Sequence, residues 1–183
     1  MGTRGTRRNI SSSQPRDDEP ALLTSVESFI KEGHKHGLYK GDNLDMFGLI
    51  GIIPDIKIEY IPLGSSISGS LSRKGNNWII MVNSLHHPNR QKFTLAHELA
   101  HYVLHKNESD IFTDTVFFRG GINNSIEKTA NQFASELLMP QKRVNDLIVN
   151  ENIRSVSELA ARFGVSSSAM LYRVKDLGYK TKE

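Results

Sequence analysis

The run Phe93-Thr94-Leu95-Ala96-His97-Glu98-Leu99-Ala100-His101-Tyr102-Val103-Leu104-His105 decides how the rest of the chain is read. Residues four apart on an α-helix lie on one face, one turn above the other. His97 and His101 then stack as two imidazoles able to grip one metal ion. Glu98 directly follows the first histidine and can reach a water on that metal without ligating it. This is the HExxH arrangement of metallopeptidases, with Zn²⁺ as the usual ion. The flanks are amphipathic, because Ala96, Leu99, Ala100 and Val103 can pack inward beside the histidine face. Pro88 suits a first helical position and Asn107 a left-handed stop. The bland reading of the same residues is two surface histidines on an ordinary helix.

A catalytic zinc takes three protein ligands and keeps one position open. The metzincin continuation would need Gly at 104 and His at 107. Leu104 and Asn107 stand there, so that class is excluded. The third ligand has to come from elsewhere. Glu127 is the best candidate, in Ser125-Ile126-Glu127-Lys128-Thr129-Ala130-Asn131-Gln132-Phe133-Ala134-Ser135-Glu136-Leu137-Leu138-Met139-Pro140. Ile126, Ala130, Phe133, Ala134, Leu137 and Leu138 form an apolar helical stripe, and Glu127 and Asn131 share another face. Spacing alone leaves Glu127 equally a metal ligand or a solvated glutamate on a surface helix. Asn131, one turn on, could hydrogen-bond a ligating histidine from behind.

The two motifs together resemble the ImmA/IrrE family of metallopeptidases, from about Asn43 to the C-terminus. The resemblance implies His97, His101 and Glu127 as metal ligands, a gluzincin-type set, and Glu98 as the catalytic base. It implies a small zincin-like α+β fold and, for some members, cleavage of a helix-turn-helix repressor or antitoxin. Both motifs are intact here.

The chain has 183 residues, a net charge of +3 and no cysteine. That length suits one domain and a small appendage. Without cysteine, neither a disulfide nor a thiolate metal site is possible, so a metal must take nitrogen and oxygen ligands. A cytoplasmic location is the expectation. No stretch reaches the 18 or more apolar residues of a membrane span, and the N-terminus has no apolar signal-peptide core. The charge is too weak to argue nucleic acid by itself.

Residues 1–20 are polar and read as a flexible tail. A helix is expected from Pro20, on Leu22, Leu23, Val26, Phe29 and Ile30, ending at Gly33, and a second over Leu44 to Leu49. His34 and His36 read as solvent-exposed. Ile56 to Ile61 alternates as a half-buried strand. Ser66 to Leu71 and Trp78 to Val82 read as a hairpin around Gly75-Asn76-Asn77. The Ser66–Ser70 run is either a sheet edge that takes an extended substrate or a plain connecting strand. Residues 106–124 read as a long irregular link. Ser155-Val156-Ser157-Glu158 is a capping box, and Gly164 separates the helix it starts from a last one capped by Ser166. This is a helix-turn-helix outline. DNA reading would need basic and amide side chains early on the second helix. It offers Arg173 and Lys175 only late, which argues against nucleic acid.

The expected fold class is thus α+β and zincin-like. A small three-stranded, mostly antiparallel sheet packs on the HExxH helix and a second ligand-bearing helix. The expected organisation is a tail (1–20), a metallopeptidase domain (21–150) and a helix-turn-helix-like lobe (151–183). The leading functional reading is a metal-dependent endopeptidase acting on a repressor or antitoxin, with Zn²⁺, or Mn²⁺ or another divalent ion. The alternative is a non-catalytic binding module, antitoxin-like or DNA-associated, that uses a zincin shell. His105, Tyr102, His86, His87 and Arg119 are candidates for a second oxyanion donor.

Overall fold

A computed structural model describes residues 23–115 and 124–180. The tail, Pro20 to Leu22 of the expected first helix, and Arg119 lie outside the described residues, while Leu23, expected within that helix, lies ahead of it. Helix α1 (Val26–Lys35) starts on Ser25, which shares a reciprocal capping box with Ser28, and runs past Gly33 to Lys35. His34 is the penultimate helical residue and stacks on Tyr39, while His36 pairs with Glu32 at 3.2 Å. A short antiparallel ribbon, β1 (Tyr39–Lys40) and β2 (Asn43–Leu44), leads to α2 (Met46–Gly51), capped by the Asp45 side chain. Phe29, Leu44, Met46, Leu49 and Ile50 are buried together as one corner of the core.

The main sheet holds β3 (Ile56–Ile61), β4 (Ile67–Lys74), β5 (Asn77–Asn83) and β6 (Ile111–Thr115), in the order β3-β5-β4-β6. It therefore has four strands and not three. β4 and β5 form the expected antiparallel hairpin, whereas β3 lies parallel to β5. The fourth strand comes from the link read as irregular. Ile111-Phe112-Thr113 is too short to show a period, but β4 supplies the partner that orders it. β4 is consequently an inner strand: Gly69 faces Val82 on one side and Asp114 on the other. Gly69 and Ser70 of the Ser66–Ser70 run are paired on both sides, so this part of it is not a free sheet edge.

Against one face of the sheet lies α3 (Pro88–His105), with Pro88 at its start and the His87 side chain capping Asn89 N. Helix α4 (Asn124–Leu138) packs along α3, followed by α5 (Gln141–Val149), α6 (Val156–Phe163) and α7 (Ser167–Asp176). Gly164, at φ 62°, makes the left-handed turn after α6, a backbone that favours glycine. Leu71, Ile80, Leu99, Ala134, Leu137, Phe163, Met170 and Val174 all belong to one buried apolar cluster. Arg173, 4% exposed, donates to the Met139 carbonyl at 3.0 Å and pairs with Glu136, so it is committed to α4 and not presented on a surface. No helix among the described residues is long and apolar enough to cross a membrane.

Candidate metal centre

Helix α3 puts His97, Glu98 and His101 inside the molecule, at 3%, 0% and 1% exposure. They are buried because the apolar face of α3 and the face that carries them are both covered, one by the sheet and the other by α4. Helix α4 brings Glu127 from its first turn to the same point. Its Oε2 lies 3.2 Å from His97 Nε2 and its Oε1 3.4 Å from His101 Nε2. The two Nε2 atoms are 3.0 Å apart. Among the described residues these three form a group whose ligand atoms lie within 4.8 Å of one another.

The group fits a divalent ion. Ligand atoms placed tetrahedrally about 2.0–2.1 Å from an ion stand roughly 3.3 Å from each other. The three separations above are of that size. His97 Nδ1 lies 3.1 Å from Asn131 Oδ1. An amide oxygen only accepts, so Nδ1 carries the proton and Nε2 faces Glu127 with its lone pair. Burial raises the Glu127 pKa, but its contacts with His101 and His97 outweigh burial and lower it to about 2. Glu127 is therefore an anion at neutral pH, as a ligand must be.

Behind His101 stands His105, with Nδ1 to Nδ1 at 3.3 Å, and His105 Nε2 lies 3.2 Å from Thr129 Oγ1. Burial, then the neighbouring His101, push the His105 pKa below the ordinary imidazole value. Phe112 of β6 stacks on His101, ring centroids 4.8 Å apart. On the sheet side, Gly69 of β4 is the point of closest approach. A Cβ there would meet Thr94 Cγ2 at 2.4 Å, the Met81 carbonyl at 2.7 Å and Glu98 Oε1 at 3.3 Å.

Sequence reasoning singled out His97, Glu98, His101, Glu127 and Asn131: His97, His101 and Glu127 come together, Asn131 contacts His97, and Glu98 is buried on α3 between the two histidines in sequence. Of its oxyanion-donor candidates, Tyr102 donates to Asp55 and packs edge-on against Trp78, away from the group. His105 sits on the far nitrogen of His101, behind the ligand. His87 caps α3, and His86 Nε2 approaches Asn83 Nδ2 at 3.4 Å. Thr129 and Gly69 were missed, and Phe112 was read only as a packing aromatic of the link after α3. A glycine inside a strand does signal a close backbone approach, and that signal was available for Gly69.

An α+β domain in which consecutive helices bring two histidines and a glutamate to one point, with a second glutamate beside the first histidine, has the architecture of a His/His/Glu metal domain. The chain belongs to the ImmA/IrrE family: residues 53–175 match the family described as the IrrE N-terminal-like domain. The radiation response metalloprotease IrrE of Deinococcus radiodurans is 31% identical over 136 residues, which cover 72% of this chain and 40% of that protein. The protein of the same name from Deinococcus deserti is 31% identical over 136 residues, 72% of this chain and 47% of that one. The metallopeptidase ImmA of Bacillus subtilis is 32% identical over 104 residues, 56% of this chain and 59% of that one. The chain thus spans about half the length of the curated relatives it matches.

Proposed function

We propose that this protein is a metal-dependent endopeptidase that cleaves a regulatory protein, a repressor or antitoxin of helix-turn-helix type. The observation that carries the reading is the convergence of His97, His101 and Glu127 from two helices, with Glu98 buried on the same helix as the histidines. The relatives' names, metalloprotease and metallopeptidase, support it. His97, His101 and Glu127 would hold the ion, Zn²⁺ or in its place Mn²⁺, leaving room for a further ligand. Such an ion would supply Lewis-acid polarisation of the scissile carbonyl. Glu98 takes the proton of the attacking water and passes it to the leaving nitrogen. Asn131 holds the His97 ring so that Nε2 points inward.

An extended peptide has a place to lie. β6 is the outermost strand among the described residues on the side that carries Phe112 against His101, so its open edge can pair with a substrate main chain. A cavity of about 940 Å³ that Asn131 lines together with Arg90, Phe93, Ser166 and Tyr172 can receive substrate side chains. We assign residues 21–150 to the peptidase domain and 151–183 to a helix-turn-helix-like lobe that borders this cavity, with residues 1–20 as a tail. The protein is proposed to work in the cytoplasm.

The test is co-expression with a helix-turn-helix regulator encoded next to this gene. Cleavage should require added metal. Glu98→Gln should keep its metal and slow cleavage by about 10²–10⁴-fold. A Glu98→Gln protein that clears the regulator as fast as wild type would end the peptidase reading.

A further inference from the structure

We propose that Thr129 and His105 are positioning residues that fix which nitrogen of His101 bears the proton, and so present a bare His101 Nε2 to the metal site. The inference rests on the metal-site reading above and follows from counting protons along one chain of contacts. Thr129 Oγ1 lies 2.8 Å from the Ile126 carbonyl, which can only accept, so the single hydroxyl proton points there. The contact between Thr129 Oγ1 and His105 Nε2, at 3.2 Å, must then be Nε2–H donating to the hydroxyl oxygen. A neutral imidazole has one N–H, so His105 Nδ1 keeps its lone pair. That lone pair faces His101 Nδ1 at 3.3 Å, and His101 Nδ1–H donates to it. His101 Nε2 is left bare, 3.4 Å from Glu127 Oε1 and 3.0 Å from His97 Nε2.

With an ion on Nε2 the His101 ring carries its proton on Nδ1, and in a place closed to water, where His101 and His105 are 1% and 7% exposed, the His105 Nδ1 lone pair is the acceptor within reach. Phe112, nearly coplanar with His101 at 14°, restrains the ring from turning away from it. One turn of α4 therefore does two things. Glu127 enters the site directly, and Ile126 and Thr129 set the proton on a ligand that belongs to α3. The chain ends on a helix carbonyl, which has no alternative protonation state.

Two measurements test this. In ¹⁵N-labelled, zinc-loaded protein at pH 8, long-range imidazole NMR should find His101 protonated at Nδ1 and His105 at Nε2, and a His105 protonated at Nδ1 overturns the proposal. Competition with a chromophoric chelator reads zinc affinity. His105→Phe and Thr129→Val should each bind zinc about 10–100-fold more weakly than wild type. Thr129→Ser and His105→Gln, which restore the acceptors, should recover most of the loss. Thermal melts by circular dichroism check that the variants fold. His105→Phe and Thr129→Val with wild-type affinity would overturn the proposal and leave the metal site standing. Wild-type protein that takes up no zinc would remove the metal site itself and this proposal with it.

Discussion

Gly69 is where one methyl group separates a working approach from a collision. Its neighbours across the gap are the Thr94 methyl and the Met81 carbonyl, and the latter cannot rotate away. Gly69→Ala should therefore cost about 1–3 kcal/mol of stability, read as a lower urea midpoint. Because Glu98 Oε1 is the third atom in reach, the same change should also displace the Glu98 carboxylate. A variant as stable as wild type would show that β4 and α3 are not held this closely. At this scale the sequence was most informative where spacing alone decides geometry. Four residues on a helix put His97 over His101 whatever else happens. Glu127 was half legible, since its spacing to Asn131 defines a face but only the packing of α4 on α3 says which way that face looks. The role of His105 was not legible, because i,i+4 spacing brings it beside His101 but cannot say that Thr129 waits on its other nitrogen.

Between elements, Lys92 joins α3 to the turn that follows α6, donating to the Phe163 carbonyl at 2.6 Å and to Asn43 Oδ1 at 2.5 Å. Burial lowers its pKa to about 8, with the Asp45 charge opposing. A lysine whose folded pKa is depressed binds fewer protons folded than unfolded between pH 8 and its model value of 10.5. Its contribution to stability is therefore fully present above that value and is lost as pH falls through about 8. The difference in urea midpoint between wild type and Lys92→Met should shift towards wild type as pH rises across this window, and a difference that is flat with pH would contradict it. Arg173 ties α7 to the end of α4 in the same manner. Arg173→Ala should cost about 2–3 kcal/mol, less than a fully buried pair because Glu136 keeps some access to water. An unchanged melting midpoint would show the pair to be ornamental. Helices with caps were readable as elements, as Ser155 and Ser166 show. β6 was not, because five residues carry no period of their own and their order comes from pairing with β4.

In the molecule as a whole, the sheet, α3, α4 and the last two helices share one apolar core, so the site is held from several directions at once. The expectation of an α+β fold came from seeing strands ahead of the HExxH helix and helices after it. The parallel placement of β3 beside β5 was invisible, since it depends on the chain passing from β3 over one strand position to β4 before the hairpin brings β5 back between them. A ligand that binds only the folded state stabilises it by mass action. Saturating Zn²⁺ should therefore raise the melting midpoint of wild type and leave that of His101→Ala unmoved, and equal shifts in both would place the ion elsewhere. The most direct test is equilibrium dialysis of the purified chain against micromolar free zinc, beside Glu127→Ala. The account predicts one ion per chain in wild type and none retained in the variant. An undiminished ion in Glu127→Ala, or no ion in wild type, would contradict it.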